Sequence, residues 1–427
     1  MKIVKFHSIL TLIIITTLLG SCGYMPQKQM QYYQPQPYQI PQSQLKQPEI
    51  IEKRIKVALL VPLSGKHKQL GESLLNSATL SLFDNDKKDD IELVVFDSKG
   101  TPFGAKDAMK EIVKQDIKIV IGPVFSSSVE SVAEMVANND IIALSFSNNM
   151  ELINNKGIFL MGFFPEQQIE KTVNFAMSQG KNSFSVIASN NQYGLKISNI
   201  VKQTVARKDG NFITSELYMN NDRDLDRSVK RLVNAYIVSQ RVYENQEEGE
   251  EEIDKSEIVI TEEDKIYPDV IFIPESGKVL SIIMAKMKQY NTNERDFQII
   301  GSNSWDKPST LKDLNLIGSW FPAPESKLYE KFQKKYYSAF KEESIRIDSI
   351  AYDAVNVITK LVKNNNSDRG VLTMEDFIHY KKSGFKGIDG LFRFLPDGIV
   401  ERNLAILEVK EDEFNIIESP TNFFLRY

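Results

Sequence analysis

Beyond residue 54 the hydrophobic residues fall into two alternating kinds of run. Short, nearly continuous apolar stretches at 55–63 (IKVALLVPL), 91–96, 117–121 and 141–144 predict strands buried on both faces. Stretches with apolar residues three and four apart predict amphipathic helices at 69–83, 103–115 and 127–138. The first of these sets Leu70, Leu74, Leu75, Ala78 and Leu82 on one face. After Pro165 the alternation restarts, with helices at 167–179, 195–208, 225–238 and 278–289 and strands at 183–188, 270–273 and 297–300. The tail differs: helices at 326–340 and 349–363 precede strands at 390–394, 404–409 and 414–417. Strands alternating with helices imply βαβ units and parallel sheets covered on both faces. The pattern therefore predicts an α/β body of two similar lobes with parallel sheets flanked by helices. Lobe 1 is expected over 55–163, completed by about 316–380, and lobe 2 over 164–315, completed by about 381–427.

The chain ahead of this body has a different character. Lys2 and Lys5 precede an apolar run from Ile9 to Leu19, which is shorter than the ~20 residues a membrane-spanning helix needs. That fits the hydrophobic region of a secretory signal over 1–21. Leu19-Gly20-Ser21-Cys22 follows, and Cys22 is the one cysteine in 427 residues. The segment resembles the lipobox of bacterial lipoproteins, which implies a lipid on Cys22 as the mature N-terminus and no other cofactor. In that group an Asp after the cysteine favours the inner membrane. Gly23 stands there instead, so the expected location is the periplasmic side of a membrane, the outer before the inner. Residues 25–48 hold nine Gln and five Pro with no apolar period, so 22–54 reads as an acylated cysteine and a tether. Its reach is ~30 Å as a coil and up to ~100 Å as extended polyproline II.

Charge and rare residues narrow the chemistry. Lys+Arg 52 against Asp+Glu 57 gives a net charge of −5, which argues against a nucleic-acid partner. Eleven acidic residues and one Lys lie between Glu244 and Asp264, so the acidity belongs to one surface insertion over 241–266. A solvated loop is the plain reading of that insertion and a docking site for a basic partner the sharper one. A single cysteine excludes intramolecular disulfides and multi-thiolate metal sites, and His7, His67 and His379 leave little for imidazole chemistry. G-x-G-x-x-G, Walker A and H-E-x-x-H are absent, and the S-x-x-K matches at Ser178, Ser304 and Ser338 lack ordered partner motifs. No catalysis is expected.

Six segments in order carry a family resemblance. They are Val57-Ala-Leu-Leu-Val-Pro-Leu-Ser-Gly65 with Gly71, Ile121-Gly-Pro-Val-Phe-Ser-Ser-Ser128, Ile142-Ala-Leu-Ser-Phe-Ser147, Asn191-Gln-Tyr-Gly194, Asp348-Ser-Ile-Ala-Tyr-Asp353 and Gly387-Ile-Asp-Gly-Leu-Phe-Arg-Phe394 with Asp397-Gly398. Over about 53–420 the chain resembles the type I periplasmic binding proteins, the leucine/isoleucine/valine-binding class. Within that class it is similar to the lipoprotein activators of penicillin-binding proteins. The resemblance implies Rossmann-like lobes hinged about a cleft. It also implies one of two functions: activating a peptidoglycan synthase, or receiving an amino acid or small peptide for transport or sensing.

Open α/β sheets gather ligands at the carboxyl ends of their strands. Ser126, Ser127 and Ser128 stand between a strand and a helix, where hydroxyls and free N–H groups suit an anion or simply cap the helix. Ser145 and Ser147 end the next strand and face the same space. By family analogy, an acid from the second lobe holds an ammonium group and an aromatic covers the ligand. Glu275 and Tyr193 occupy the matching positions. Phe146 stands where amino-acid binders commonly carry a small residue, which departs from a conventional amino-acid pocket.

Overall fold

The computed structural model describes residues 54–239, 260–364, 372–380 and 383–424. Cys22, the expected signal and tether, and residues 241–259 of the acidic insertion lie outside them. No helix among the described residues is long and apolar enough to cross a membrane.

The first sheet is wholly parallel, and its centre is the most apolar run of the chain. Strand β1 (Ile55–Val61) lies between β2 (Ile91–Asp97) and β3 (Ile119–Ile121), followed by β4 (Ile142–Ser145) and β5 (Ile158–Leu160), in the order β2-β1-β3-β4-β5. Alternate residues of β1 feed two cores: Val57, Leu59 and Val61 on one face, Ala58 and Leu60 on the other. Burial on both faces explains why the strand shows no polar alternation. Helices α1 (Lys68–Asn85), α2 (Pro102–Lys114) and α3 (Ser126–Asn138) connect these strands.

The chain then crosses to a second sheet of seven strands, order β17-β16-β12-β11-β10-β6-β7. Its parallel part comprises β6 (Ser183–Ser189), β7 (Asn211–Tyr218), β10 (Val270–Phe272), β11 (Gln298–Ile300) and β12 (Trp320–Ala323). Strands β16 (Ala405–Val409) and β17 (Phe414–Glu418) extend it antiparallel. Helices α4 (Pro165–Ser178), α5 (Gln192–Ala206), α6 (Asp222–Val233) and α7 (Lys278–Tyr290) cover its faces. In each lobe the helix that follows the first strand uses the same device. A Cβ on Gly71 would sit 1.8 Å from the Pro62 carbonyl oxygen, and one on Gly194 would sit 2.0 Å from that of Ser189. Only glycine lets those helices pack so close to the strand end.

Three expectations are corrected here. The tail divides differently: β12 belongs to the second sheet, so 316–380 is not wholly lobe 1. Helices α8 (Ser326–Phe340) and α9 (Asp348–Asn364) pack on α1, and the small sheet β13 (Phe385–Gly387), β14 (Gly390–Phe394), β15 (Val400–Arg402) joins the lobe 1 core through Phe385, Phe392, Phe394 and Val400. Hence lobe 2 is completed by β12 and by the segment from β16 onward. The expected helix at 225–238 ends at Val233 with Asn234 as its cap, and Ile237–Val238 forms strand β8, paired with β9 (Lys265–Ile266). That two-stranded stem carries the acidic insertion. Strands β5, β7 and β12 escape the apolar pattern because two are short and β7 (NFITSELY) is a half-buried edge strand.

Candidate functional site

The cleft opens at the carboxyl ends of both sheets, as the topology requires. A cavity of about 430 Å³ there is walled by Val124, Phe125 and Ser126 after β3, by Phe146, Ser147 and Asn148 after β4, and by Gly162 and Phe163 at the first crossing. Lobe 2 supplies Gln168 of α4, Tyr193 of α5 and Asn303 after β11, while Arg346, Ile347 and Ile350 come from the entry to α9.

The serines of the first wall are largely bonded to one another. Ser126 Oγ and Ser147 Oγ are 2.8 Å apart, Ser145 Oγ donates to the Pro123 carbonyl at 2.9 Å, and it accepts from the Ser147 N–H at 3.1 Å. Helix α3 is capped by Phe125 with no side-chain hydrogen bond, so none of the three serines caps it. Ser127 points to solvent outside the cavity lining, and Ser128 is buried in the helix interior. Of the serines, the structure brings only Ser126 and Ser147 to the cavity wall. Phe146 is buried and lines the cavity, consistent with its filling part of the space.

Tyr193 reaches the cavity and is 49% exposed. Burial raises its hydroxyl pKa, and the negative charges of Glu275 and Glu166 raise it further. Glu275 does not line the cavity. Its Oε1 accepts from the Ser189 N–H at 2.8 Å and the Ser189 hydroxyl at 2.6 Å, while its carbonyl accepts from Trp305 Nε1 at 2.7 Å. The residue expected to hold an ammonium group thus ties β6 to the turn that carries Asn303.

Arg346 is the charged side chain of the lining, and sequence reading passed over it. Its Nη1 lies 3.0 Å from Asp306 Oδ2 in lobe 2, and its Nη2 lies 2.9 Å from Asp389 Oδ1 in lobe 1. The guanidinium also stacks 4.1 Å above the Tyr329 ring. Both aspartate contacts are close as charge pairs but poorly aligned as hydrogen bonds. Asp389 is fully buried, with its other oxygen accepting from Ser349 Oγ. Asp306 is nearly so, and burial raises its pKa while Arg346 opposes the rise. One arginine therefore bridges the lobes.

Behind Arg346 the buried charges continue into the hinge. Arg402 of β15 donates from Nη2 to the Met161 carbonyl at 2.8 Å and lies 4.7 Å from the Phe163 ring centre. Its backbone N–H donates to Gln167 Oε1 at 3.1 Å, and Gln167 Nε2 donates to the Val400 carbonyl at 3.2 Å. Asp353 and Asp389 supply the opposite charge. Asp353 is fully buried and accepts from the Ile388 N–H at 2.8 Å. Burial, then the nearby Asp389 charge, pushes its pKa up to about 7. Burial also lifts Asp348, at the start of α9, to about 6 despite hydrogen bonds from Ser73 and the Ile345 N–H.

A larger recess of about 540 Å³ lies at the opposite, amino ends of the lobe 2 strands, beside Asn182, Asn211 and Arg295. Its polar groups hold loops: Asp269 accepts from the Asn182 and Ser183 N–H groups, and Arg295 donates to Val233 and stacks on Tyr267. Topology and spare hydrogen-bonding capacity both favour the cleft as the candidate site. Among the described residues no cluster of His, Cys, Asp and Glu is arranged to hold a metal ion.

Residues 54–243 match the family model of the periplasmic binding proteins. An uncharacterised protein of Rickettsia prowazekii (strain Madrid E) is 24% identical over 363 residues, covering 83% of this chain and 86% of its own length. The penicillin-binding protein activator LpoA of Vibrio cholerae is 20% identical over 185 residues, 43% of this chain but only 30% of that protein. Among solved structures, an ABC transporter substrate-binding protein from Desulfitobacterium hafniense in complex with Leu superimposes with a TM-score of 0.60 at 13% identity. That likeness covers 86% of this chain and 100% of the other. A solute-binding protein of an ABC transporter from Rhodopseudomonas palustris BisB5, in complex with 3,4-dihydroxy benzoic acid, gives 0.58 at 14% identity over 86% and 96%. At those identities the likeness is one of fold. Residues 54–243 thus match the periplasmic binding protein family model, and the body as a whole has the two-lobed α/β fold of those solved structures.

Proposed function

We propose that this chain is a non-catalytic, lipid-tethered regulator that activates a penicillin-binding protein from the periplasmic side of a membrane, the outer one in preference to the inner. Similarity to an activator of that class over 185 residues supports the reading. The observation that carries it is the internal pairing of the cleft's charged groups. A zwitterionic solute needs a free cation and a free carboxylate, whereas Arg346 is ion-paired with two aspartates, and Glu275, outside the cavity lining, is hydrogen-bonded to Ser189. Stripping such pairs to admit a ligand would leave buried charges uncompensated. In this reading Cys22 anchors the chain, the Gln- and Pro-rich segment sets its reach, and contact with the synthase favours an active state. That effect requires tighter binding to the active state than to the resting one.

The alternative, a solute receptor feeding a transporter, takes its support from neighbours of the same fold that bind leucine and an aromatic acid. Heating the purified chain with a panel of amino acids and short peptides separates the two, because a ligand bound only by the folded state raises the melting temperature. The activator reading expects no saturable shift, together with co-purification of a bifunctional peptidoglycan synthase. A saturable shift with an amino acid and no synthase recovered would overturn it.

A further inference from the structure

The free polar groups of the cleft have one property in common: none is charged. Asn303 is held through its backbone N–H, which donates to Gln168 Oε1 at 3.1 Å, while its side-chain amide makes no hydrogen bond among the described residues. The same contact leaves the Gln168 amide nitrogen available. Asn148 donates to the Phe163 carbonyl at 3.3 Å and keeps its own oxygen, and the Tyr193 hydroxyl is likewise unengaged among the described residues. Amides and hydroxyls of this kind donate and accept at once, which is what a ring bearing several hydroxyls requires.

The charges on the wall point the same way. Arg346 faces two carboxylates, so the pair offers no net attraction to a ligand carboxylate. The carboxylates themselves are 11% and 0% exposed, so an ammonium group cannot reach them. The apolar part of the wall combines aliphatic residues such as Leu70, Val124 and Ile347 with the flat rings of Phe125, Phe163 and Tyr193, against which the C–H face of a pyranose can lie. A volume of about 430 Å³ falls within the ~300–1,000 Å³ of ordinary small-molecule sites.

We infer that the cleft takes an uncharged, hydroxyl-bearing ring, the chemical class of a neutral sugar, and discriminates against charged amino acids and acidic sugars. The inference stands apart from synthase activation. The chain could activate a synthase with an empty cleft, and a sugar-binding cleft could serve another purpose.

Isothermal titration of the full chain with N-acetylglucosamine, its β-linked dimer, glucose, ribose, glucuronate and leucine tests it. The expected result is saturable binding of at least one neutral sugar, with glucuronate weaker by about tenfold or more and leucine silent. Asn303→Ala and Tyr193→Phe should each weaken the sugar about fivefold or more while leaving the melting temperature unchanged. Using both variants guards against one of them perturbing the fold. Binding of leucine or glucuronate in preference to every neutral sugar overturns the inference. So does the absence of heat from all four neutral sugars, or wild-type sugar affinity in both variants.

Discussion

The cleft and the ionic cluster behind it share Arg346 and are otherwise built from opposite materials. The cleft offers amides, hydroxyls and ring faces with hydrogen-bonding capacity to spare. The cluster holds Arg402, Asp353, Asp389 and Asp306 almost wholly out of water, each oriented by a backbone group or a counter-charge. Groups left uncommitted can serve a ligand or a partner, whereas groups buried and paired hold the hinge segments in one geometry. Substitutions in the two regions should therefore fail in different ways: loss of stability behind the cleft, loss of recognition within it.

Arg402→Met breaks the cluster at its most buried cation. It leaves Asp353 and Asp389 without that charge and the Met161 carbonyl without its donor. The expected cost is ~3–5 kcal/mol in urea unfolding monitored by circular dichroism. A cost under ~1 kcal/mol would mean that the cluster does not stabilise the hinge.

The next effect is one of pH. Asp353 titrates at about 7 in the folded chain, raised by burial and then by Asp389, against ~4 when unfolded. Between those values the folded state holds a proton that the unfolded chain has released. Stability from this group is therefore complete at low pH and lost as pH rises through 7. Raising the pH from 5.5 to 8 should cost about 2 kcal/mol through Asp353, with a smaller contribution in the same direction from Asp348. Thermal melts across that range check it, and Asp353→Asn should flatten the slope.

Arg346→Met sharpens the comparison at the shared residue. Its side chain is 22% exposed, so the expected cost is nearer ~1–2 kcal/mol. Losing the one ion pair in this cluster that joins the lobes should also increase the radius of gyration in small-angle scattering. Asn303→Ala should cost least, ~0.5 kcal/mol or below, because its side-chain amide makes no hydrogen bond among the described residues. A stability loss as large as that of Arg402→Met would erase the distinction between the two regions.

The sequence disclosed most of the fold and rather less of the site. Residues Ile55–Val61 read as a buried parallel strand because their apolar run admits little else, and Gly71 and Gly194 mark two equivalent strand-to-helix turns. Ser126, Ser147 and Tyr193 were reachable because they directly follow strands or open a helix, and topology alone sends such positions to the cleft. Glu275 has the same address, yet its carboxylate turns to Ser189, 86 residues away in sequence, and no local pattern encodes that choice. The cluster was hidden for a related reason. Asp353 and Asp389 lie within two of the family-like segments, but their partners Arg346 and Arg402 meet them only once the small sheet β13–β15 has packed against α9. Such contacts belong to tertiary packing, which periodicity along the chain does not record.

The most direct test of the central claim is a rate. The chain, carrying the proposed lipid on Cys22, would be reconstituted in vesicles with a bifunctional penicillin-binding protein, and glycan polymerisation and cross-linking followed over time. The chain is expected to raise at least one of the two rates about twofold or more, saturating with its concentration and independent of added amino acids. Equal rates with and without the chain, across a concentration range that saturates vesicle binding, would contradict it.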